Sequence, residues 1–318
     1  MKVTVIGCGR WGSFIAWYLD HVGKEITLYG RKDSEKMKKL IEEHKNELIS
    51  LPDSITLSSN LDCVDTAEVI IISIDSQSLR GLLNEIKTYS LQGKTIVLCM
   101  KGIEIETGNR LSQIVYEVIP LIGAVAVWLG PGHVQEYFKG IPNCMVIDSD
   151  DEVTKKKLVG EFSSKLIRFY YGQDMIGNEI GAASKNVIGI AAGMLDGLQL
   201  YTLKGALMSR GTKEIARLIV AMGGNSLSAY GLCHLGDYEA TVFSEHSHNR
   251  KFGEQFVHGQ LYRELAEGYY TVKALMSLRE RYDVELPICE AVYHILYEKV
   301  DAQEELEKLF DRSIKYEM

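Results

Sequence analysis

The chain has 318 residues, 46% of them hydrophobic and 25% charged, with a formal net charge of −8. That length predicts two domains, and the apolar share suffices for a sizeable core. An acidic balance without a basic stripe excludes a nucleic-acid binder, and no apolar run is long enough to cross a bilayer.

The chain opens on a strand at residues 2–6, KVTVI, which reads as buried on both faces. Gly7-Cys8-Gly9-Arg10-Trp11-Gly12 follows and leads into an amphipathic helix. This is G-x-G-x-x-G in the setting that gives it meaning, after a strand and opening a helix. Gly7 permits the tight turn, Gly9 lets a pyrophosphate approach the backbone, and Gly12 lets helix and strand pack closely. The N–H groups and dipole at the helix start hold the diphosphate. That setting disfavours the competing reading, a glycine-rich turn without a ligand. With a strand at the start, no signal peptide is expected.

A second strand spans residues 24–29 and ends in Gly30-Arg31-Lys32. NAD sites usually place an acid here, on the ribose 2′-hydroxyl. Arg31 and Lys32 instead suit a 2′-phosphate, or are two solvated loop cations. The expectation tilts to NADPH over NADH. Residues 33–50 read as a charged, solvated helix. Further strands are expected at 55–57, 67–74, 94–100, 124–129, 144–147 and 167–171, with a helix at 77–91. A linker or short strand is expected between the last two strands. This alternation predicts an α/β fold, a Rossmann-type doubly wound, mostly parallel sheet over residues 1–173. Lys101 and Gly130-Pro131-Gly132-His133 stand at the carboxyl ends of two strands, where such sheets bind ligands. Lys101 there either faces a substrate or is an ordinary exposed lysine.

From residue 174 to 318 the pattern turns helical, which predicts an all-α second domain. Residues 177–198 carry Gly181, Ala182, Ala183, Gly189, Ala191, Ala192 and Gly193, a thin helix that close packing must stabilise. Lys185 shares a face with Gly181, Ile188, Gly189 and Ala192. Partial desolvation there is expected to bring its pKa towards neutrality and make it a candidate acid/base; the alternative is a lysine snorkelling to the bundle edge. Other helices are expected at 204–222, 249–267, 271–282 and 287–297, with a short acidic one at the C-terminus. A glycine-rich break, residues 230–237, carries Asp237. Ser247 or Asn249 caps a helix whose N–H groups, with nearby cations, suit a phosphate; ordinary polar surface is the other reading. Six dispersed cysteines and eight histidines without ligand spacing predict neither disulfides nor a metal. A soluble cytoplasmic protein is expected.

At residues 185–198, KNVIGIAAGMLDGL, the chain resembles the NAD(P)-dependent glycerol-3-phosphate dehydrogenase family of bacterial type. The likeness extends through GCGRWG, KGIEIETG at 101–108, GPGHVQEYFKGIP at 130–142, LGDYEAT, SHNRKFG and residues 264–293. It implies reversible reduction of dihydroxyacetone phosphate to sn-glycerol 3-phosphate, which feeds phospholipid synthesis, and a homodimer. It implies that Lys185 is the catalytic lysine, acid for ketone reduction and base for alcohol oxidation. Lys101 is the second lysine, contacting substrate and cofactor, and Asp237 contacts substrate or orients Lys185. Ser247, His248 and Asn249 form the phosphate segment, with Gly130 and Gly132 in the substrate loop. Gly7, Gly9, Arg10, Trp11, Gly12, Arg31, Lys101, Val134, His248, Leu265 and Glu267 fall on cofactor positions.

Three departures bear on substrate affinity or identity. His248 stands where the family usually has arginine, and cannot form the bidentate fork; Arg250 or Lys251 is the candidate substitute. Gly132 stands in place of serine. Gln199-Leu200-Tyr201-Thr202 is one residue shorter than the family's segment. Two other readings follow. One is a ketopantoate-reductase-like or hydroxyacid-dehydrogenase-like enzyme, which needs no phosphate pocket. The other is a silent NAD(P)H-binding protein, against which the intact pair Lys101 and Lys185 argues.

Overall fold

A computed structural model describes residues 1–314, 316 and 317. It divides into two compact units, Met1–Lys101 with Asn109–Met175, and Gly102–Gly108 with the chain from Ile176 onward.

In the first unit the elements run β1 (Lys2–Ile6), α1 (Arg10–His21), β2 (Glu25–Tyr29), α2 (Glu35–Glu43), β3 (Thr56–Ser58), α3 (Cys63–Thr66), β4 (Val69–Ile72) and α4 (Leu79–Ile86). They continue β5 (Thr95–Leu98), α5 (Leu111–Val118), β6 (Ala124–Leu129), α6 (Val134–Phe138), β7 (Asn143–Ser149), α7 (Glu152–Phe162) and β8 (Ile167–Tyr171). The strands form one sheet in the order β3-β2-β1-β4-β5-β6-β7-β8, parallel except where β7 runs against β6. Every residue of β4 and β6 is buried, as a parallel sheet covered on both faces requires. The strand order reverses at β1, whose neighbours are β2 and β4. The crevice at the carboxyl ends of β1 and β4 is therefore the topological switch point.

Several expected boundaries move. The stretch expected as a linker or short strand holds α7, capped by Asp151, whose side chain accepts from Val153 and Thr154 N–H. Its signal was masked because a lysine lies on its buried side: Lys155 Nζ donates to Gly172 O at 2.7 Å. The helix expected at 33–50 stops at Glu43, where His44 takes φ 51°. The helix expected at 77–91 is a short 3₁₀ turn followed by α4. Helices α5 and α6 were not foreseen.

The second unit contains α8 (Met175–Gly197), α9 (Leu203–Ala221), α10 (His248–Val257), α11 (Glu267–Tyr282), α12 (Pro287–Tyr293) and α13 (Ala302–Phe310). Helix α8 is its axis, buried along nearly its whole length. The small residues have the expected use. A Cβ on Gly193 would fall 1.9 Å from Arg250 O, and one on Gly253 2.1 Å from Ile190 O, so α8 and α10 touch backbone to backbone. Ile103, from the Gly102–Gly108 excursion, is fully buried in this unit's core with Leu275 and Leu278. The helix expected over 249–267 ends at Val257. Gly259, at φ +66°, turns the chain away, and residues 258–266 lead into α11, which starts at Glu267 rather than residue 271. Among the described residues no helix is long and apolar enough to cross a membrane.

Candidate active site

In the first unit the nucleotide fingerprint has the geometry its sequence implies. Gly7 takes φ +117°, and a Cβ there would lie 2.1 Å from Ser73 O. A Cβ on Gly12 would lie 1.8 Å from Gly7 O, so only glycine lets α1 start this close to the strand end. Gly9 differs, since a Cβ on it would meet nothing within 4 Å. It is the N-cap of α1 and supplies no side-chain acceptor, so the start of α1 has room for a group to approach its backbone. That is the cradle a pyrophosphate fits. Arg10 is exposed and Trp11 half-buried, with the Trp11 ring 5.2 Å from Phe14 and 6.3 Å from Tyr137. Arg31 and Lys32 are both exposed past β2.

Lys101 Nζ donates to Gly130 O at 2.9 Å, which joins the two strand-end segments of this unit. The glycine at 132 has a steric reason. It takes φ +144°, and a Cβ would sit 2.4 Å from the Tyr137 hydroxyl. That hydroxyl donates to Pro131 O at 3.3 Å, so a tyrosine hydroxyl occupies the space a serine side chain would need. Val134 opens α6 and is buried.

In the second unit Lys185 lies midway along α8 and is 7% exposed. Its Nζ is 2.9 Å from Asp237 Oδ2 and donates to Thr241 Oγ1 at 2.6 Å. Thr241 in turn donates to Asp237 O at 2.8 Å. Asp237 and Thr241 are each 1% exposed. The lysine is thus held by a counter-charge and a hydroxyl, and does not snorkel. The carboxylate stabilises the ammonium against the desolvation that the small residues impose. Sequence reasoning gave Thr241 no role. The available signal was its position four residues past Asp237, one helical turn along the same segment.

The phosphate segment lies at the start of α10. Ser247 is its N-cap and accepts from Arg250 N–H. Asn249 Nδ2 donates to Asn186 Oδ1 at 3.1 Å, and Asn249 Oδ1 accepts from Gly268 N–H at 2.9 Å. Asn186, adjacent to Lys185, is a second residue the sequence reading missed. Asn249 therefore ties α10 to α8, which carries Lys185, and to the first turn of α11, where Glu267 stands. His248 Nδ1 lies 2.6 Å from the Tyr262 hydroxyl and 3.0 Å from Glu264 Oε2. Leu265 is half exposed in the same loop.

Arg250, one of the two candidate substitutes, is engaged elsewhere. It pairs with Asp196, whose other oxygen holds Lys204, and its Nε donates to Ser244 O at 3.2 Å. Lys251 is exposed. His248→Arg is expected to tighten a phosphate-bearing substrate, seen as a lower KM for that substrate. A higher KM would give His248 a role of its own. Among the described residues no group of three His, Cys, Asp or Glu could hold a metal ion.

Beside the Lys185–Asp237 pair, fully buried His234 bonds Gly181 O and the Tyr238 hydroxyl. Burial pushes its pKa from 6.5 down to about 4. Below pH 6.5 the unfolded chain takes up a proton that the folded chain refuses until about pH 4. Stability is therefore whole above pH 6.5 and is lost as pH falls through this window, by roughly 1.4 kcal/mol per unit and on the order of 3 kcal/mol in all. Urea unfolding at pH 7 and pH 4.5 checks this, because His234→Asn should flatten the difference.

The chain matches the NAD-dependent glycerol-3-phosphate dehydrogenase N-terminus over residues 2–155 and the NAD-dependent glycerol-3-phosphate dehydrogenase C-terminus over residues 174–307. It is 36% identical to a glycerol-3-phosphate dehydrogenase (NAD(P)+) of Chlorobium phaeobacteroides strain BS1, over 100% of this chain and 99% of that protein. It is 35% identical to the enzyme of that name from Fusobacterium nucleatum, with the same coverage. Among solved structures, glycerol-3-phosphate dehydrogenase from Coxiella burnetii superposes with a TM-score of 0.91 at 25% identity, over 98% of this chain and 99% of that one.

Proposed function

The chain belongs to the NAD-dependent glycerol-3-phosphate dehydrogenase family, and from that premise we propose that it reduces dihydroxyacetone phosphate to sn-glycerol 3-phosphate, reversibly, with NADPH or NADH. The observation that carries this reading is the buried Lys185–Asp237–Thr241 cluster. The first unit serves as the nucleotide-binding domain and the second, which takes in Gly102–Gly108, as the catalytic one. Gly7, Gly9, Arg10, Trp11 and Gly12 hold the dinucleotide, whose pyrophosphate fits the open start of α1. Arg31 meets a 2′-phosphate, which favours NADPH. Lys101, Val134, His248, Leu265 and Glu267 make further cofactor contacts.

When bound, a reduced nicotinamide would supply the hydride. As it reaches the carbonyl carbon, negative charge grows on oxygen. The Lys185 ammonium, fixed by Asp237 and Thr241, stabilises that charge and gives the oxygen a proton. In the reverse direction the neutral amine takes the hydroxyl proton. Asp237 compensates the charge throughout, and Lys101, with Gly130 and Gly132 beside it, contacts the substrate. Ser247, His248 and Asn249, at a helix start whose dipole favours anions, receive the phosphate. The product is a precursor of glycerophospholipids, and the enzyme works in the cytoplasm as a homodimer.

The deciding assay is NADPH and NADH oxidation with dihydroxyacetone phosphate, run beside unphosphorylated dihydroxyacetone. Turnover with the phosphate ester alone is expected, faster with NADPH. No turnover with either ketone, despite NADPH binding, would redirect the search to other small carbonyl acids.

A further inference from the structure

His234 has no part in the chemistry above, yet it is bonded to both members of the catalytic pair's scaffold. Its Nδ1 lies 2.8 Å from Gly181 O, and its Nε2 2.8 Å from the Tyr238 hydroxyl. A carbonyl only accepts, so Nδ1 carries the hydrogen and Nε2 accepts from Tyr238. Both residues are fully buried.

The places of the two bonds matter. Gly181 stands four residues before Lys185, so its carbonyl is also the helical acceptor for the Lys185 N–H. On the other side, the Asp237 N–H donates to His234 O at 3.0 Å. One residue is thus bonded through its ring to the helix turn carrying the lysine and through its backbone to the turn carrying the aspartate. Glycine at 181 makes room for this, because a Cβ there would lie 3.0 Å from His234 Cβ. Tyr238 steadies the far edge of the ring, with its hydroxyl 3.5 Å from Thr212 Oγ1 on α9.

We infer that His234 is a positioning residue. Through its bond to Gly181 O it sets the register of Asp237 against Lys185, and so the direction in which the ammonium is presented. The inference rests on the acid–base role of Lys185 proposed above.

The test uses the chemistry of the two ring nitrogens. In His234→Asn the amide nitrogen takes the place of Nδ1 and keeps the bond to Gly181. In His234→Gln the amide group takes the place of Nε2 and keeps only the Tyr238 contact. Both variants of the full chain are assayed for kcat, for KM of substrate and cofactor, and for the pH profile of kcat/KM, with thermal midpoints measured alongside. His234→Asn is expected to hold kcat and the pH profile close to those of the parent. His234→Gln is expected to lose up to about 10²-fold in kcat, the scale of an ångström's misplacement, with a shifted pH profile and an unchanged cofactor KM. Gly181→Ala, which crowds the ring, should shift the profile the same way and serves if His234→Gln does not fold.

Equal rates in the asparagine and glutamine variants would overturn the inference. So would a loss that follows the thermal midpoint with no change of pH profile, as would an unaltered rate and profile in Gly181→Ala. Full turnover in Lys185→Ala would overturn the acid–base reading and this inference with it. Loss in Lys185→Ala alongside equal His234 variants would overturn the inference alone.

Discussion

Lys185→Ala is expected to lower kcat by about 10²–10⁴, the range for losing a general acid, while binding of NADPH stays near that of the parent. The separation follows from where the parts lie. The fingerprint from Gly7 to Gly12 belongs to the first unit, and Lys185 to the core of the second. Truncation also leaves Asp237, 1% exposed, without its cation. Breaking a buried pair in this way costs stability as well as the acid. Fluorescence titration with NADPH and steady-state rates check the two halves independently. Unchanged turnover would remove Lys185 from the chemistry, and lost NADPH binding would mean that the substitution had damaged more than the site. Lys185→Arg sharpens the result. It keeps a cation but adds bulk against Gly189, where Thr241 already lies 2.6 Å from a hypothetical Cβ, and an arginine does not give up its proton at neutral pH. It should be as inactive as the alanine variant.

The sheet was legible because its strands are buried on both faces, and such strands write continuous apolar runs such as VIII in β4 and AVAVWL in β6. Helix α7 was hidden because Lys155 lies on its buried side, where the pattern calls for an apolar residue; it is held there by Gly172 O and by the carboxylates of Asp148 and Glu152. The split of residues 249–267 into α10, a loop and α11 was hidden because a single Gly259 among helix formers does not announce a left-handed turn. In the site, Lys185 was readable from the small residues around it. Its partners Asp237 and Thr241 lie 52 and 56 residues away, and no periodicity links such positions. The loss of a serine at 132 looked like a lost function in the sequence, yet φ +144° and the Tyr137 hydroxyl explain it as geometry. The partner of Arg250 was equally hidden. A cation beside a phosphate segment suggested a ligand contact, but the aspartate that claims it is on α8.

Asp237→Ala is expected to cost the most stability of any single substitution in the site. It strands the Lys185 ammonium, whose side chain is 9% exposed. Removing one partner of a buried ion pair costs about 3–5 kcal/mol, because the remaining charge is desolvated without compensation. The Thr241 hydroxyl remains, but a neutral acceptor replaces little of a full counter-charge. Asp237→Asn should cost less, since its amide oxygen still accepts from Nζ, and both variants should lose turnover. Urea midpoints of the parent, the two single variants and the double variant Lys185→Met with Asp237→Leu decide the cause. If the loss is the stranded charge, the double variant recovers most of the stability and none of the activity, because apolar groups of similar volume often replace a buried pair at little cost. A double variant as unstable as Asp237→Ala would mean instead that the Asp237 side chain holds its own turn together, with Lys185 incidental to the fold. Recovery in the double variant would instead mean that the pair is kept for chemistry with little net gain in stability, which is the usual position of charges at a catalytic centre.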